Sequence, residues 1–246
     1  MKRIKSLICL SLMIVMGGQL VAQTHGTMFL GASFPKGDFS MVNGYSSTAI
    51  FGNEDQTFGG AGLGFNAGLK WDFGVGVPGL AVLLSVDGFY NGPSADMKDC
   101  YKDLANGYDL LFDNVEQSTS RYINVPAMLG LRYTYYLNPQ FGLFVEGGAG
   151  GDARFITNHQ VKYTDLLGTK HIDTEKFNTT IAFAWQAGLG IEVSRNLVLG
   201  CSFYDLGKSE VEGEVTTMIG SESATSDFKR GTLKTTMLLA RIGFKF

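Results

Sequence analysis

The sequence predicts an all-β protein, an eight-stranded antiparallel up-and-down transmembrane β-barrel. Three observations lead to this prediction: a last stretch with one apolar and one polar face, similar stretches before it, and connections that alternate in length. Hydrophobic residues make up 45% of the 246-residue chain, yet they are spread in alternation and are not gathered in runs. Membrane-spanning helices concentrate apolar residues, whereas the strands of transmembrane barrels alternate them.

The last stretch, Thr232 to Phe246, alternates with a period of two residues. Because successive side chains of a strand point to opposite faces, one face is apolar and the other carries two cations. The apolar face carries Leu238, Ala240, Ile242, Phe244 and Phe246, and the opposite face carries Met237, Leu239, Arg241, Gly243 and Lys245. An exposed apolar strand promotes aggregation of a soluble protein, but in a transmembrane barrel that face meets lipid.

The first segment predicts export. Cations at residues 2, 3 and 5 precede a mostly apolar run over 4–15, and residues 20–22 suit cleavage before Gln23. This is the pattern of a secretory signal peptide, and the apolar run is short of the roughly 20 residues that a transmembrane helix needs. We therefore expect a signal peptide at 1–22 and one barrel domain at 23–246.

The first three strands are predicted from alternation and from the residues that end them. They are Thr27 to Phe34, which a Pro-Lys-Gly sequence at 35–37 ends, Phe58 to about Asp72, and Leu80 to Tyr90. In the second strand, glycines and Lys70 alternate with apolar residues. The outward residues predicted there are Ala61, Leu63, Phe65, Ala67, Leu69 and Trp71.

The fourth to seventh strands show the same alternation. They are predicted at Arg121 to Leu137, Phe141 to Phe155, Thr179 to Val193 and Leu197 to about Leu206. Aromatic residues near strand ends are typical of the two girdles that mark a membrane's interfaces. The candidates are Tyr90, Tyr133, Tyr135, Phe141 and Phe155.

The connections alternate strictly between long and short. Long polar segments end near residues 57, 119, 178 and 231, and short turns lie at 73–79, 138–140 and 194–196. Transmembrane barrels have short periplasmic turns and longer extracellular loops, so we expect all four long loops outside and both termini in the periplasm of an outer-membrane protein. Helical spacing in the second loop predicts a short helix on the barrel rim. It involves Met97, Cys100, Tyr101 and Leu104, with Gly107 at its end.

Charged residues of both signs fall on the inward faces. They are Lys70, Asp87, Arg132, Glu146, Asp152, Arg154, Glu192, Arg241 and Lys245. About eight strands enclose a lumen that side chains fill, and buried charges need partners. We expect a salt-bridge network that plugs the barrel; the alternative is a selective ion path. Inward glycines favour close packing over a phosphate cradle, because strand and not helix follows them.

Residues 122–151, YINVPAMLGLRYTYYLNPQFGLFVEGGAGG, resemble the small outer-membrane β-barrel family of the Bacteroidetes, a group that includes PorT-like proteins and is similar to OmpA- and OmpX-like eight-stranded barrels. The resemblance implies contact with outer-membrane lipid and lipopolysaccharide. It also implies that the barrel-assembly machinery recognises the last strand through a C-terminal signature formed by Phe244 and Phe246.

Other function classes find little support in the sequence. The net charge of -3 argues against a nucleic-acid binder. His25, His159 and His171 have no compact metal spacing, and no nucleophile signature occurs, so we expect no catalytic, cofactor or metal site. Acidic residues in the second and fourth loops indicate a solvated surface; the alternative is binding of calcium or of the cations that bridge lipopolysaccharide. We expect Cys100 and Cys201 to be unpaired.

Together these features predict a non-enzymatic barrel that presents its loops for adhesion, envelope organisation or docking of a protein partner. A narrow ion or solute channel is the alternative, and an outer-membrane lipid-modifying enzyme is a weaker one.

Overall fold

The computed structural model describes residues 24–42, 59–99, 102, 113–194 and 196–246. The strands in these ranges are β1 (Thr24–Lys36), β2 (Ala61–Gly74), β3 (Leu80–Pro93), β4 (Asp113–Gln117), β5 (Tyr122–Asn138), β6 (Phe141–Ile156), β7 (His159–Thr164), β8 (Lys170–Phe177), β9 (Thr180–Val193), β10 (Leu197–Ile219) and β11 (Glu222–Lys245). A 3-10 helix, Gly37–Phe39, follows β1. Residues 95–99 are helical, and the Ser94 hydroxyl caps them by accepting the Met97 amide at 3.1 Å.

Eight of these strands form a closed antiparallel ring in the order β1, β2, β3, β5, β6, β9, β10 and β11, with β11 returning to β1. The closing pair aligns Thr27 with Lys245 and Lys36 with Thr236. Closure leaves no free strand edge in the ring, so the backbone amides and carbonyls of its strands find partners within the sheet. The predicted fold class is confirmed.

Side chains alternate between the lumen and the exterior as the two-residue period predicts. Along β11, for example, Arg241 is buried while Leu238 and Ile242 are exposed. One predicted outward residue is wrong: Ala61 is buried and belongs to the cluster that holds Phe39. The pairing of β2 with β3 shifts register between Ala61 and Gly64, and such a bulge re-aims the side chains beyond it.

Several predicted boundaries are also wrong, the largest of them at the last hairpin. The polar segment 207–231, predicted as a loop, lies mostly within β10 and β11, joined by the turn at Gly220. The segment 156–178 likewise contains the β7–β8 hairpin, and β1 continues through Pro35 to Lys36. Pro35 is tolerated because it lies at the end of its strand.

These extra strands form a second part of the same sheet, which we call the protruding sheet. It comprises β4, β7 and β8 together with residues 209–219 of β10 and 222–234 of β11, in the order β11, β10, β8, β7, β4. A bulge between Asp205 and Lys208 marks where β10 leaves the ring, and Gly207 there has a φ of 74°. Glycine suits this left-handed conformation.

Three predictions lie outside the described residues. They are the signal peptide at 1–22, the part of the first long loop over 43–58, and the contributions of Cys100, Tyr101, Leu104 and Gly107 to a helix. Among the residues that are described, no helix has the length and apolar character needed to cross a membrane.

Candidate functional site

The middle of the lumen holds a cluster of charges from several strands. The Arg241 guanidinium donates to Asp87 at 3.2 Å and to Glu146 at 3.4 Å, and the Lys70 ammonium pairs with the same Glu146 oxygen. The Tyr204 hydroxyl donates to Asp87 at 2.8 Å. All five side chains are buried. Two cations and two carboxylates therefore neutralise one another away from solvent, which is the condition for burying charges at low cost.

Glycines make room for this central cluster. Gly68 is paired with Asp87 across β2 and β3, and a Cβ at Gly68 would overlap the Asp87 carboxylate. A Cβ at Gly188 would overlap the Ser202 hydroxyl and crowd Glu146. At these two glycines a side chain from a neighbouring strand crosses the backbone, and strand continues after the inward glycines, unlike in a phosphate cradle.

A second cluster lies nearer the short turns. The Arg132 guanidinium donates to Asp72 at 3.2 Å and to Glu192 at 2.7 Å, and Lys245 donates to Glu192 at 3.1 Å. Arg132 also lies 3.8 Å from the centre of the Phe144 ring, a cation–π contact. Asp72 was not among the predicted interior charges, although it lies two residues after Lys70 and therefore points to the same face of the strand.

A cavity of about 680 Å³ opens above this turn-end cluster. Its lining includes Asp72, Arg132 and Lys245, with His25 and Tyr136 nearer the rim. A second cavity of about 930 Å³ shares His25, Tyr136 and Lys245 with the first. The turn end of the lumen is therefore open, and its mixed lining includes charged side chains.

The loop end of the lumen is filled differently. Phe39 from the 3-10 helix packs edge-on against Tyr122 at 5.2 Å, and the Tyr122 hydroxyl donates to the Gly59 carbonyl at 2.6 Å. This apolar cluster contains Phe39, Ala61, Phe89, Tyr122, Met128, Ala184, Tyr204, Leu206, Val211, Leu233, Met237 and Leu239. Met97, also buried, packs over Gly60. A hydrophobic core thus occupies much of the loop half of the barrel. The helical spacing around Met97 predicted a contact at the rim, whereas no sequence pattern around Phe39 predicted its burial.

A third charged cluster joins the barrel to the protruding sheet. The Arg154 guanidinium lies 3.4 Å from Asp152 and donates to the carbonyls of Leu206 and Leu233, each at 3.0 Å. Arg154 also donates to Asn124 at 3.1 Å. Its two carbonyl partners lie on β10 and β11 where these strands leave the ring, so one side chain fixes both strands at that point.

The structure places all nine predicted interior charges inside the barrel and distributes them over these three clusters. Lys70, Asp87, Glu146 and Arg241 form the central cluster, Arg132, Glu192 and Lys245 lie at the turn end, and Asp152 and Arg154 lie at the loop end. Asp72 and Tyr204 are the members that the prediction left out.

The exterior carries an apolar band of membrane dimensions. Ile123 on β5 pairs with Tyr90 on one side and Phe155 on the other, and ten residues separate it from Tyr133. That distance is about 33 Å of strand, which at a tilt of about 40° spans about 25 Å, the usual height of the lipid-facing band. Tyr135 lies just beyond and is exposed. A closed ring with apolar residues outside and paired charges inside is the arrangement of an outer-membrane β-barrel.

The β7–β8 turn is the most tightly braced feature of the protruding sheet. One oxygen of the Asp165 carboxylate accepts the amides of Leu167 and Thr169 at 2.9 and 2.8 Å. The other oxygen lies 3.0 Å from His171 Nε2, and the His171 ring stacks on Tyr163 at 4.8 Å. At the other end of the hairpin, His159 lies 3.4 Å from Glu175. Two of the three histidines therefore take part in cross-strand contacts.

The turn should loosen in acid. The hydrogen bond from His171 and those from the backbone lower the pKa of Asp165 below its ordinary value. A carboxyl whose pKa is lowered on folding stabilises the fold above its unfolded pKa, and this contribution is lost as the pH falls through the lower folded value. We expect the Leu167 and Thr169 amides to exchange faster only below the usual carboxylate range. Amide hydrogen exchange of Asp165→Asn measures this: the variant should have lost the acid-dependent step, and a step of unchanged size would contradict the assignment.

Acidic residues of the protruding sheet pair with a lysine. Lys229 lies 2.8 Å from Glu210 and 3.5 Å from Glu212. Within the part of the chain that the structure describes, no three His, Cys, Asp or Glu side chains group closely enough to hold a metal ion. Two acidic residues of the second predicted loop, Asp103 and Asp109, lie outside that part. Cys201 is a free thiol on the barrel exterior.

No protein-family model matches the sequence, and no curated protein matches it. Among solved structures, a major outer membrane protein of Thermus thermophilus aligns with a TM-score of 0.44 and 10% identity, covering 91% of this chain and 100% of that one. OprG of Pseudomonas aeruginosa aligns with a TM-score of 0.39 and 11% identity, covering 91% and 94%. The attachment invasion locus protein Ail of Yersinia pestis aligns with a TM-score of 0.38 and 14% identity, covering 91% and 99%. The topology itself is established by the hydrogen-bonded ring.

Proposed function

We propose that this protein is a non-enzymatic barrel of the bacterial outer membrane, with a lumen closed to solutes and a protruding sheet that presents a binding surface outside the cell. The single observation that carries the proposal is the division of the chain's interior. An apolar cluster fills most of the loop half of the lumen beside the Asp152–Arg154 pair, while the turn half holds paired charges below an open cavity. A path for ions would have to pass Phe39, Met97 and the apolar side chains around them, and the charges nearby, Asp152 and Arg154, are paired with each other.

The orientation follows from the connections. The short turns and the residues that begin β1 and end β11 share one end of the ring, and the protruding sheet extends from the other. Short turns are periplasmic in this class of protein, so the protruding sheet would face outward. The band between the girdles would contact lipid and lipopolysaccharide. Phe244 and Phe246, both exposed on the last strand, would be recognised by the barrel-assembly machinery. Membership of the Bacteroidetes group stays a prediction from residues 122–151.

Conductance tests the closed lumen. The refolded mature chain in a planar bilayer should show no steady openings, because Phe39 and Met97 lie across the loop end among other apolar side chains. The double variant Phe39→Gly, Met97→Gly shortens these two side chains while leaving the charged clusters intact, and we expect it to show small openings. Leu167→Gly, a change outside the barrel, is the matched control and should stay closed. Steady conductance by the unaltered protein would contradict the proposal and make this a channel.

The protruding sheet supports the presentation role. It continues β10 and β11 beyond the ring and adds three further strands, so it holds its shape through hydrogen bonds as well as side-chain contacts. Phe177 and Phe228 pack edge-on at 5.6 Å within it. A rigid platform lowers the entropy lost on binding, which is how preformed surfaces gain affinity.

A further inference from the structure

The far end of the protruding sheet displays aliphatic side chains to solvent. Leu166 and Leu167, in the β7–β8 turn, are 82% and 92% exposed. The neighbouring β10–β11 turn lies beside them, since the Gly220 amide donates to the Lys170 carbonyl at 3.0 Å, and Ile219 next to it is 48% exposed. We call these three residues, Leu166, Leu167 and Ile219, the apolar tip.

Four of the five amides of residues 165–169 are bonded within the turn. The Gly168 amide donates to the Asp165 carbonyl, and the Asp165 amide donates to the Thr169 carbonyl, each at 2.9 Å. The amides of Leu167 and Thr169 are already bonded to the Asp165 carboxylate. Gly168, with a φ of 81°, allows this tight geometry. The Asp165 charge is itself paired with His171. The side chains that remain for contact are aliphatic.

These features favour a lipid bilayer over a protein surface as the partner of the apolar tip. Entry into lipid is costly for any unpaired amide, and the amides of Leu167, Gly168 and Thr169 are all paired within the turn. Specific protein interfaces bury about 800 Å² on each partner, far more than three aliphatic side chains supply, whereas shallow insertion into a bilayer needs only a small apolar area.

The position of the tip decides which bilayer it can meet. The fourteen residues from Asp205, where β10 leaves the ring, to Ile219 would span about 45 Å along a straight strand. This length of chain allows the tip to reach well beyond the membrane that surrounds the barrel. Lys170 and Glu222 flank it with opposite charges, so nothing selects anionic lipid.

We infer that the apolar tip inserts into an opposing zwitterionic bilayer, making the protruding sheet a membrane-contact device. The inference rests on the proposed outward presentation of this sheet, and it names a lipid surface as what the sheet meets.

The test uses the full mature chain in lipid nanodiscs mixed with sucrose-loaded phosphatidylcholine vesicles, with co-sedimentation as the readout. We expect the protein to sediment with the vesicles, and the double variant Leu166→Ser, Leu167→Ser to bind at least about fivefold more weakly, because both inserted side chains become polar. Val77→Ser, which alters a 54% exposed apolar turn residue at the opposite end of the barrel, is the matched control and should bind like the unaltered protein.

A second readout locates the contact. A polarity-sensitive fluorophore on Leu167→Cys, with the other cysteines replaced by serine, should shift to the blue when vesicles are added, and the same label on Val77→Cys should not. Equal sedimentation of the double variant and the unaltered protein, or no fluorescence shift at position 167, overturns the inference. Tip-dependent pairing of nanodiscs without vesicles also overturns it, because the occupant is then a second copy of the chain. If the barrel does not conduct ions and the protein does not sediment with vesicles, this inference alone is overturned. If the barrel conducts ions, the proposed function is overturned.

Discussion

Replacing Glu146 with glutamine is expected to lower the free energy of unfolding by about 3–5 kcal/mol, the range for removing one partner of a buried ion pair. Glu146 receives both Lys70 and Arg241 on one oxygen, and the central cluster is neutral only while Glu146 is charged. Its loss leaves one buried positive charge in excess. Urea unfolding in lipid vesicles, followed by the fluorescence of Trp71 and Trp185, measures the change.

Two further variants test whether the loss of stability in Glu146→Gln comes from the unbalanced charge of the central cluster. Glu214→Gln removes an exposed carboxylate from the protruding sheet and should change stability by less than about 0.5 kcal/mol. Adding Lys70→Met to Glu146→Gln removes the excess cation and should recover part of the loss, since an apolar side chain can replace a buried ion without penalty. Equal losses for Glu146→Gln and Glu214→Gln would show that the central cluster does not hold the barrel together.

Replacing Arg154 with methionine is the second change with a large expected effect, about 3 kcal/mol. It leaves the carbonyls of Leu206 and Leu233 without their donor and the Asp152 carboxylate without its cation. The damage should be local. We expect amide hydrogen exchange to accelerate over residues 209–234 while the amides of β2 and β3, neither of which pairs with β6, β10 or β11, stay protected.

Matched changes separate this role from a general loss of charge. Arg121→Met removes an exposed cation 5.9 Å from the Tyr90 ring at the same end of the barrel and should leave exchange in the protruding sheet unchanged. Arg154→Lys keeps the charge but has no planar fork for two carbonyls, so an intermediate effect is expected. Uniform acceleration over all strands in Arg154→Met would contradict a local role.

The ring could be predicted from the sequence because each of its strands has two unlike environments. Lipid outside and a packed lumen inside impose an alternation that persists through β5, β6, β9 and β11, and this same alternation located the nine interior charges. The ion pairs between these charges, such as Lys70 with Glu146, depend on which strands face each other across the lumen. The period of a single strand contains no such information.

The protruding sheet could not be predicted in this way. Both of its faces meet solvent over much of residues 214–227, so Ser, Thr and Glu occur on each face and no alternation arises. Its strands exist because β10 and β11 extend the hydrogen bonding of the ring, which is a consequence of tertiary structure. The burial of Phe39 at the loop end escaped prediction for a related reason: Phe39 lies in a 3-10 helix of three residues, too short for any period to reveal burial. Met97 lies in a helical segment, and there the spacing did predict a contact at the rim.

β11 belongs to both parts of the molecule, and this gives the protein a mechanical character. Any pull on the far end passes down one continuous strand into the seam where β11 meets β1, a contact of ten residue pairs from Thr27 with Lys245 to Lys36 with Thr236. The load runs along the strand, so the bonds of the seam resist it together in shear and are not unzipped one at a time. A load on the protruding sheet would thus reach the barrel wall, and through it the membrane, along the backbone of β11 itself.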